Sequence, residues 1–280
     1  MTEKKRIALL LEYDGTAYAG WQRQANVRTV QGVVENALAK LCGEPITLYG
    51  CSRTDGGVHA RGHVSHFNSH CTVPPERLYL ALGTLLPDDI SVLDAAIVPD
   101  TFHARFGSRG KQYSYYIWNN RFRSALLSRY SAHESRALDI DAMHRACDYL
   151  IGKHDFRCFM AAGSTAKTTI RTLYKVELSG ETGGLLRLTI SGDAFLYNMV
   201  RIIAGTLLYV GLGKFEPEMI EAMLASGDRT LAGKTLTAAG LFLDEVYYDE
   251  NPFPACYNKQ NNLAALLAGQ ESGGNDEFLE

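Results

Sequence analysis

Residues 6–12 read Arg-Ile-Ala-Leu-Leu-Leu-Glu, a short apolar run closed by turn chemistry at Asp14 and Gly15. An apolar run of this length ending in a turn is a buried strand, because a helix needs ten or more residues to bury its face. Working outward, residues 29–41 place Val30, Val33, Val34, Ala37, Leu38 and Leu41 at helical spacing with one face inward. Residues 46–49 and 62–67 are strand candidates. Pro74 and Pro75 can open a helix, since a missing N–H is tolerated in the first turn. That helix runs through Leu78, Leu80, Leu82 and Leu85 and stops before Pro87. Residues 90–98 then form a strand. Strand, helix, strand, strand, helix, strand is the order of a ferredoxin-like unit.

The second half repeats the theme less clearly. Residues 112–118 are an aromatic-rich strand, and Asp139 is an N-cap for a helix burying Met143, Cys147, Leu150 and Ile151. Residues 170–178 and 185–190 are strands. Residues 196–208 form a helix with Met199, Val200, Ile203 and Leu207 inward, followed by a short helix at 219–224 and a strand at 241–247. The class is α+β, with an internal duplication. The expected units are 1–103, 104–250 and a polar, acidic, flexible tail at 251–280.

A chain of 280 residues can bury a sizeable core without staples. Its six cysteines form no C-x-x-C pair and suggest no disulfide framework. No apolar run approaches the ~20 residues of a membrane span, and the N-terminal run lacks a cleavage site. A cytoplasmic setting is the expectation. The net charge is −3, but it is unevenly spread. Residues 244–280 hold eight acidic side chains and one lysine, so the other 243 carry 27 basic against 23 acidic. Residues 101–133 contain no Asp or Glu, yet hold Arg105, Arg109, Lys111, Arg121, Arg123 and Arg129 among eight aromatics. Cations interleaved with aromatics suit a polyanion that also offers base faces; a solvated strand with packed aromatics is the plainer reading.

Chemistry concentrates in residues 50–60, Gly-Cys-Ser-Arg-Thr-Asp-Gly-Gly-Val-His-Ala. Arg53 and Asp55 lie two apart among small residues, and an adjacent Arg favours an ionised carboxylate. Gly56 and Gly57 permit positive φ and close backbone approach to a ligand. Such a carboxylate can act on a sugar as nucleophile or base; an Asp-Gly turn with a surface ion pair is the alternative. His59, His63, His66 and His70, with Cys71, would bind zinc on a helix. The glycines favour a strand there, on which His63 and His66 point apart. A non-catalytic RNA-binding module is a further reading of the basic and aromatic residues.

The string at 52–60, Ser-Arg-Thr-Asp-Gly-Gly-Val-His-Ala, resembles the GRTDAGVHA signature of the TruA pseudouridine synthases. The similarity continues in Tyr13-Asp-Gly-Thr16, Gly20-Trp21-Gln22, Thr29-Val30-Gln31, Phe102-His103-Ala104-Arg105, the strand with Lys111, Tyr113 and Tyr115, Met199-Val200-Arg201-Ile202 and Gly240-Leu241-Phe242-Leu243. It spans residues 5–248 and departs at Ser52 and Gly56, where the family has glycine and alanine. The resemblance implies two ferredoxin-like halves joined into one continuous, mainly antiparallel sheet, with helices on one face, and a homodimer. It also implies isomerisation of uridine to pseudouridine at positions 38–40 of the tRNA anticodon arm, without cofactor or metal.

By position, Asp55 matches the catalytic aspartate. Arg53 would orient it or displace the base, Tyr113 would stack on the target base, and Arg201 would pair with Asp55. The residues support the last role independently: a guanidinium in an otherwise apolar helix needs a buried anion, unless it snorkels to a helix edge. Tyr113 could equally be a packed sheet aromatic. Arg105, Arg109 and Lys111, with Arg23, Lys167 and Arg171, are candidates for tracking the tRNA backbone.

Overall fold

A computed structural model describes residues 3–253. Strand β1 (Lys5–Tyr13) leads through a 3₁₀ turn (Gly15–Ala17) to helix α1 (Val30–Cys42) and the short β2 (Tyr49–Gly50). Strand β3 (His59–Ser69), helix α2 (Pro75–Gly83) and β4 (Ile90–Ile97) follow. The second half comprises β5 (Gly110–Asn119), β6 (Ala132–Glu134), α3 (Ile140–Asp148) and β7 (Gly152–Asp155). Then come β8 (Ile170–Ser179), β9 (Leu185–Gly192), α4 (Met199–Gly211), α5 (Met219–Ser226) and β10 (Leu241–Tyr247).

All ten described strands belong to one sheet, ordered β4-β1-β3-β10-β5-β9-β8-β7, with β2 on β3 and β6 on β5. In β1-α1-β2-β3-α2-β4 the first strand lies between the fourth and the third, with the second beside the third. In β5-α3-β8-β9-α4-β10 the strands take the same places, β10-β5-β9-β8. Two ferredoxin-like arrangements are thus fused edge to edge. They meet where β3 and β10 pair in parallel, Phe242 opposite His59 and Leu243 opposite Ala60. The other pairs along the main order are antiparallel.

Local chemistry explains the boundaries. Thr29 caps α1 by accepting from the Gly32 N–H, and Asp139 caps α3 by accepting from Ala142. The strand expected at 46–49 is reduced to Tyr49–Gly50, because side chains of α1 take the backbone groups of Leu48. Glu35 accepts from its N–H at 2.9 Å, and Gln31 donates to its carbonyl at 3.0 Å. Helix α4 starts at Met199 and not at 196, since Asn198 is left-handed at φ 59°. Of the leucines along the expected second helix, Leu78 and Leu82 are buried while Leu80 and Leu85 are exposed; Ile151, expected on the buried face of its helix, is exposed too. Strands β6 and β7 carry too few apolar residues to show a period.

One staple holds the seam on its reverse side. Ser114 follows Tyr113 on β5 and so points to the opposite face. There Asp244 of β10 accepts hydrogen bonds from Ser114 and from Arg61 of β3, and Arg187 of β9 lies 3.3 Å away. Removing one partner of such a buried pair costs about 3–5 kcal/mol. Asp244, the first of the acidic residues counted in 244–280, therefore belongs to the core. Phe253, placed by the sequence reading in a flexible tail, is fully buried; residues 254–280 lie outside the described residues.

Candidate active site

Residues 51–58 lead directly into β3, at the end that pairs with β10, and carry Asp55. The backbone beneath them is glycine out of necessity. A Cβ on Gly15 would sit 1.9 Å from the Val58 carbonyl oxygen, and one on Gly20 (φ +104°) 2.6 Å from that of Thr54. The loop is tied down from several directions. The Trp21 N–H donates to the Thr54 carbonyl at 3.0 Å, and the Val58 N–H to that of Asp55 at 3.2 Å. The Tyr13 and Thr54 hydroxyls share a hydrogen bond of 2.8 Å. Gly57 uses the positive φ allowed to it (78°), whereas Gly56 does not. A Cβ at Gly56 would meet the Tyr18 oxygen at an ordinary 3.4 Å, so the loop accepts the family's alanine there.

Asp55 is half-buried, and its Oδ2 lies 3.5 Å from Nη1 of Arg201. Burial raises its carboxyl pKa above the ordinary value, while the charge and hydrogen bond of Arg201 pull it down. Arg201 projects from the first turn of α4. Its Nε donates to the Leu236 carbonyl at 2.8 Å, and its Nη1 donates to Asn198 Oδ1 at 2.7 Å. Asn198 precedes the helix without capping it; its side chain serves the guanidinium instead. The guanidinium is thus aimed before any substrate arrives, which is the useful arrangement for stabilising developing charge.

Tyr113 lies in a row of paired residues running Tyr13, Ala60, Leu243, Tyr113, Ile190 across five adjacent strands. Its ring meets Phe195 edge-on at 5.0 Å, and its hydroxyl shares a 2.9 Å hydrogen bond with Ser52 Oγ. Burial raises its phenol pKa, with the charge of Asp55 adding to the effect. The tyrosine is both a packed sheet aromatic and a neighbour of the carboxylate. Ser52, the departure from the family's glycine, supplies the partner that its buried hydroxyl needs.

Other sequence-selected residues fall elsewhere. Arg53 is exposed and, among the described residues, forms no ion pair with Asp55. Arg201, and not Arg53, is the cation beside the carboxylate, the Arg53 side chain lying exposed to solvent. Arg109 is exposed and paired through its fork to Asp249, and Arg23 lies 3.2 Å from Glu35. Arg105 stands over the exposed Phe106 ring at 5.7 Å. Lys111 is partly buried, and burial lowers its ammonium pKa, opposed by Cys51. Arg171 sits on β8, two strands beyond Tyr113, donating to the Ile170 carbonyl at 2.6 Å; Lys167 is exposed in the preceding loop.

The zinc reading loses its geometry. On β3, His63 pairs with Leu11 and His66 with Ala8, an odd separation that sends them to opposite faces. His59 is engaged by the Gly15 N–H and the Arg129 carbonyl. Among the described residues, no group of three or more His, Cys, Asp or Glu is placed to hold a metal. Asn198, Thr54, Trp21 and His63 escaped the residue-by-residue reading as site residues. The family motifs Gly20-Trp21-Gln22 and 52–60 contained Trp21 and Thr54 without giving either a role.

The sequence model of the tRNA pseudouridine synthase family matches residues 10–107 and 146–249. The tRNA pseudouridine synthase A of Ruminiclostridium cellulolyticum is 46% identical over 87% of this chain and 100% of its own length. Those of Acetivibrio thermocellus and Caldicellulosiruptor bescii are 47% and 48% identical over the same shares. With a half-buried aspartate facing an aimed arginine across the seam of a duplicated sheet, and with these relatives along most of its length, the chain belongs to the tRNA pseudouridine synthase family.

Proposed function

We propose that this chain isomerises uridine to pseudouridine at positions 38–40 of the tRNA anticodon arm, with Asp55 as the catalytic carboxylate. The observation that carries the assignment is the approach of Asp55 to Arg201 at 3.5 Å on a loop that leaves the carboxylate partly open to solvent. The target nucleotide must leave its stack to reach it. In one route Asp55 attacks C1′ and the C1′–N1 electron pair departs with uracil, giving a glycosyl ester as in retaining glycosidases. The base turns, C5 attacks C1′, the carboxylate is released and the C5 proton is lost. In the other route Asp55 removes the C2′ proton as the C1′–N1 electron pair departs with uracil, giving a glycal; C5 of the turned base then adds to C1′, Asp55 returns the proton to C2′ and the C5 proton is lost. Arg201 steadies the ionised carboxylate in both.

Tyr113 holds the uracil by its face, a contact worth about 1–3 kcal/mol. Arg53, exposed and two residues before Asp55, fills the space the base vacates. Arg105, Lys111, Arg109, Arg23 and Arg171 contact the RNA backbone, as phosphate contacts dominate affinity for nucleic acid. Phe122 and Leu126, exposed in the basic 121–129 segment, extend this surface, Arg121 lying over the Phe122 ring at 5.5 Å. The chain works without cofactor, in the cytoplasm, as a homodimer of subunits with ferredoxin-like units at 1–103 and 104–250.

The test is tritium release from tRNA labelled at uracil C5. Wild-type protein releases label, and Asp55→Asn binds tRNA without releasing it. Binding without release by the wild type would favour an RNA-binding module; equal release by the variant would remove Asp55 from the reaction.

A further inference from the structure

His63 is fully buried on β3, its ring stacked on the Trp21 indole at 3.6 Å between centroids and 25° between planes. The pair is packed so closely against Gly50 that a Cβ there would lie 2.5 Å from Trp21 Nε1 and 2.8 Å from His63 Cε1. His63 Nε2 lies 3.1 Å from the Ser52 carbonyl oxygen, which can only accept, so Nε2 carries the proton. Nδ1 is then a lone-pair acceptor, and it is buried without a partner. An unmet buried acceptor costs about 1–3 kcal/mol. A leucine at this position, opposite Leu11 in the strand register, would avoid that penalty while taking this donor from the Ser52 carbonyl, so the two changes roughly offset. Stability alone does not account for a histidine here.

What histidine adds is one donor, and the recipient is central to the site. The Ser52 hydroxyl meets the Tyr113 hydroxyl at 2.9 Å, and Asp55 follows three residues later. Trp21, which supports the imidazole, also donates its N–H to the Thr54 carbonyl. The two stacked rings therefore belong to residues that hold the carbonyls of Ser52 and Thr54, on either side of the outward-facing Arg53.

We propose that His63 is a positioning residue of the reaction, setting through its hydrogen bond to Ser52 the loop that presents Asp55 and the hydroxyl that holds Tyr113. This rests on Asp55 being the catalytic group. Burial pushes the imidazole pKa down to about 3, so the ring stays neutral in the working range and carries no proton for the reaction.

The experiment compares His63→Leu, which removes the donor, with His63→Gln, which restores an N–H. Tritium release gives kcat and KM for tRNA, and melting gives stability. His63→Leu is expected to lower kcat about 10–100-fold, the loss a misplaced site incurs, with KM for tRNA unchanged and a melting point close to wild type. His63→Gln recovers most of kcat with an unaltered pH profile. Wild-type kcat in the leucine variant, or a glutamine variant no faster than it, overturns the proposal. Asp55→Asn is assayed alongside: activity surviving there would instead sink the catalytic assignment on which the proposal stands.

Discussion

Arg201 and Asp55, 146 residues apart in sequence, come within 3.5 Å of each other, yet the shortest side-chain contact of the guanidinium is to Asn198 at 2.7 Å. The arginine is held in place by neutral acceptors, Asn198 Oδ1 and the Leu236 carbonyl, and not by the carboxylate it serves. Its orientation is therefore independent of whether Asp55 is ionised, protonated or esterified. That independence suits a group that must accompany one carboxylate through several states.

Asn198 can be tested apart from the backbone it occupies. Alanine at φ 59° would add strain of about 1–2 kcal/mol, so glycine is the informative replacement. Asn198→Gly should keep the melting point near wild type while kcat falls about tenfold, one lost hydrogen bond to a charge being worth about 1.5–3 kcal/mol. Tritium release and calorimetry on the same preparation decide it. Unchanged kcat would show that Leu236 suffices to aim the guanidinium.

The pH dependence follows from Asp55. Its pKa is raised by burial above the ordinary 3.8, against the pull of Arg201. A raised carboxylate contributes stability that is complete below the unfolded value and is lost as pH rises through the folded one. Asp55→Asn should accordingly melt higher than wild type at neutral pH, with the advantage vanishing in acid. The acid limb of wild-type kcat should lie above 3.8 and move further up in Arg201→Met. A limb that stays put in that variant would remove Arg201 from the control of Asp55.

The exposed fork between Arg109 and Asp249 competes with phosphate for the same guanidinium. Asp249→Asn should tighten tRNA binding and steepen its salt dependence by about one phosphate contact. Arg109→Ala should weaken binding less than Arg105→Ala, because Arg109 must first leave its partner. Filter-binding titrations across a salt series measure both. Equal effects of the two alanine variants would place Arg109 outside the RNA footprint or show its pairing to be inconsequential.

Gly20→Ala places a methyl 2.6 Å from the Thr54 carbonyl at a φ that disfavours side chains, so the strand-side floor must push the catalytic loop away. Activity should fall by far more than tRNA affinity, and stability should drop by about 1–3 kcal/mol. Gly43→Ala, with nothing within 4 Å of its added methyl but a comparable φ of +70°, is the control for backbone strain alone. Similar kcat in both variants would mean that the loop does not rest on Gly20 as described.

The alternation of apolar strands and amphipathic helices in residues 5–98, the duplication of that order, and the loop at 50–60 were legible from the chain itself, because period and turn chemistry are local. So was the oddity of Arg201, a guanidinium in an apolar helix that must find acceptors, although those that hold it, Asn198 and the Leu236 carbonyl, are neutral. The seam was not. That β10, drawn from the far end, lies parallel to β3 depends on closing a sheet over some 180 residues of intervening chain, which no window of sequence contains. Tertiary structure alone decided that Arg201 and not the nearby Arg53 faces Asp55. It also decided that Leu48 surrenders its backbone groups to Glu35 and Gln31, and that His63, one of a row of histidines, turns inward to hold Ser52. Each of these is a choice among hydrogen-bond partners brought together by packing, and packing is a property of the whole sheet.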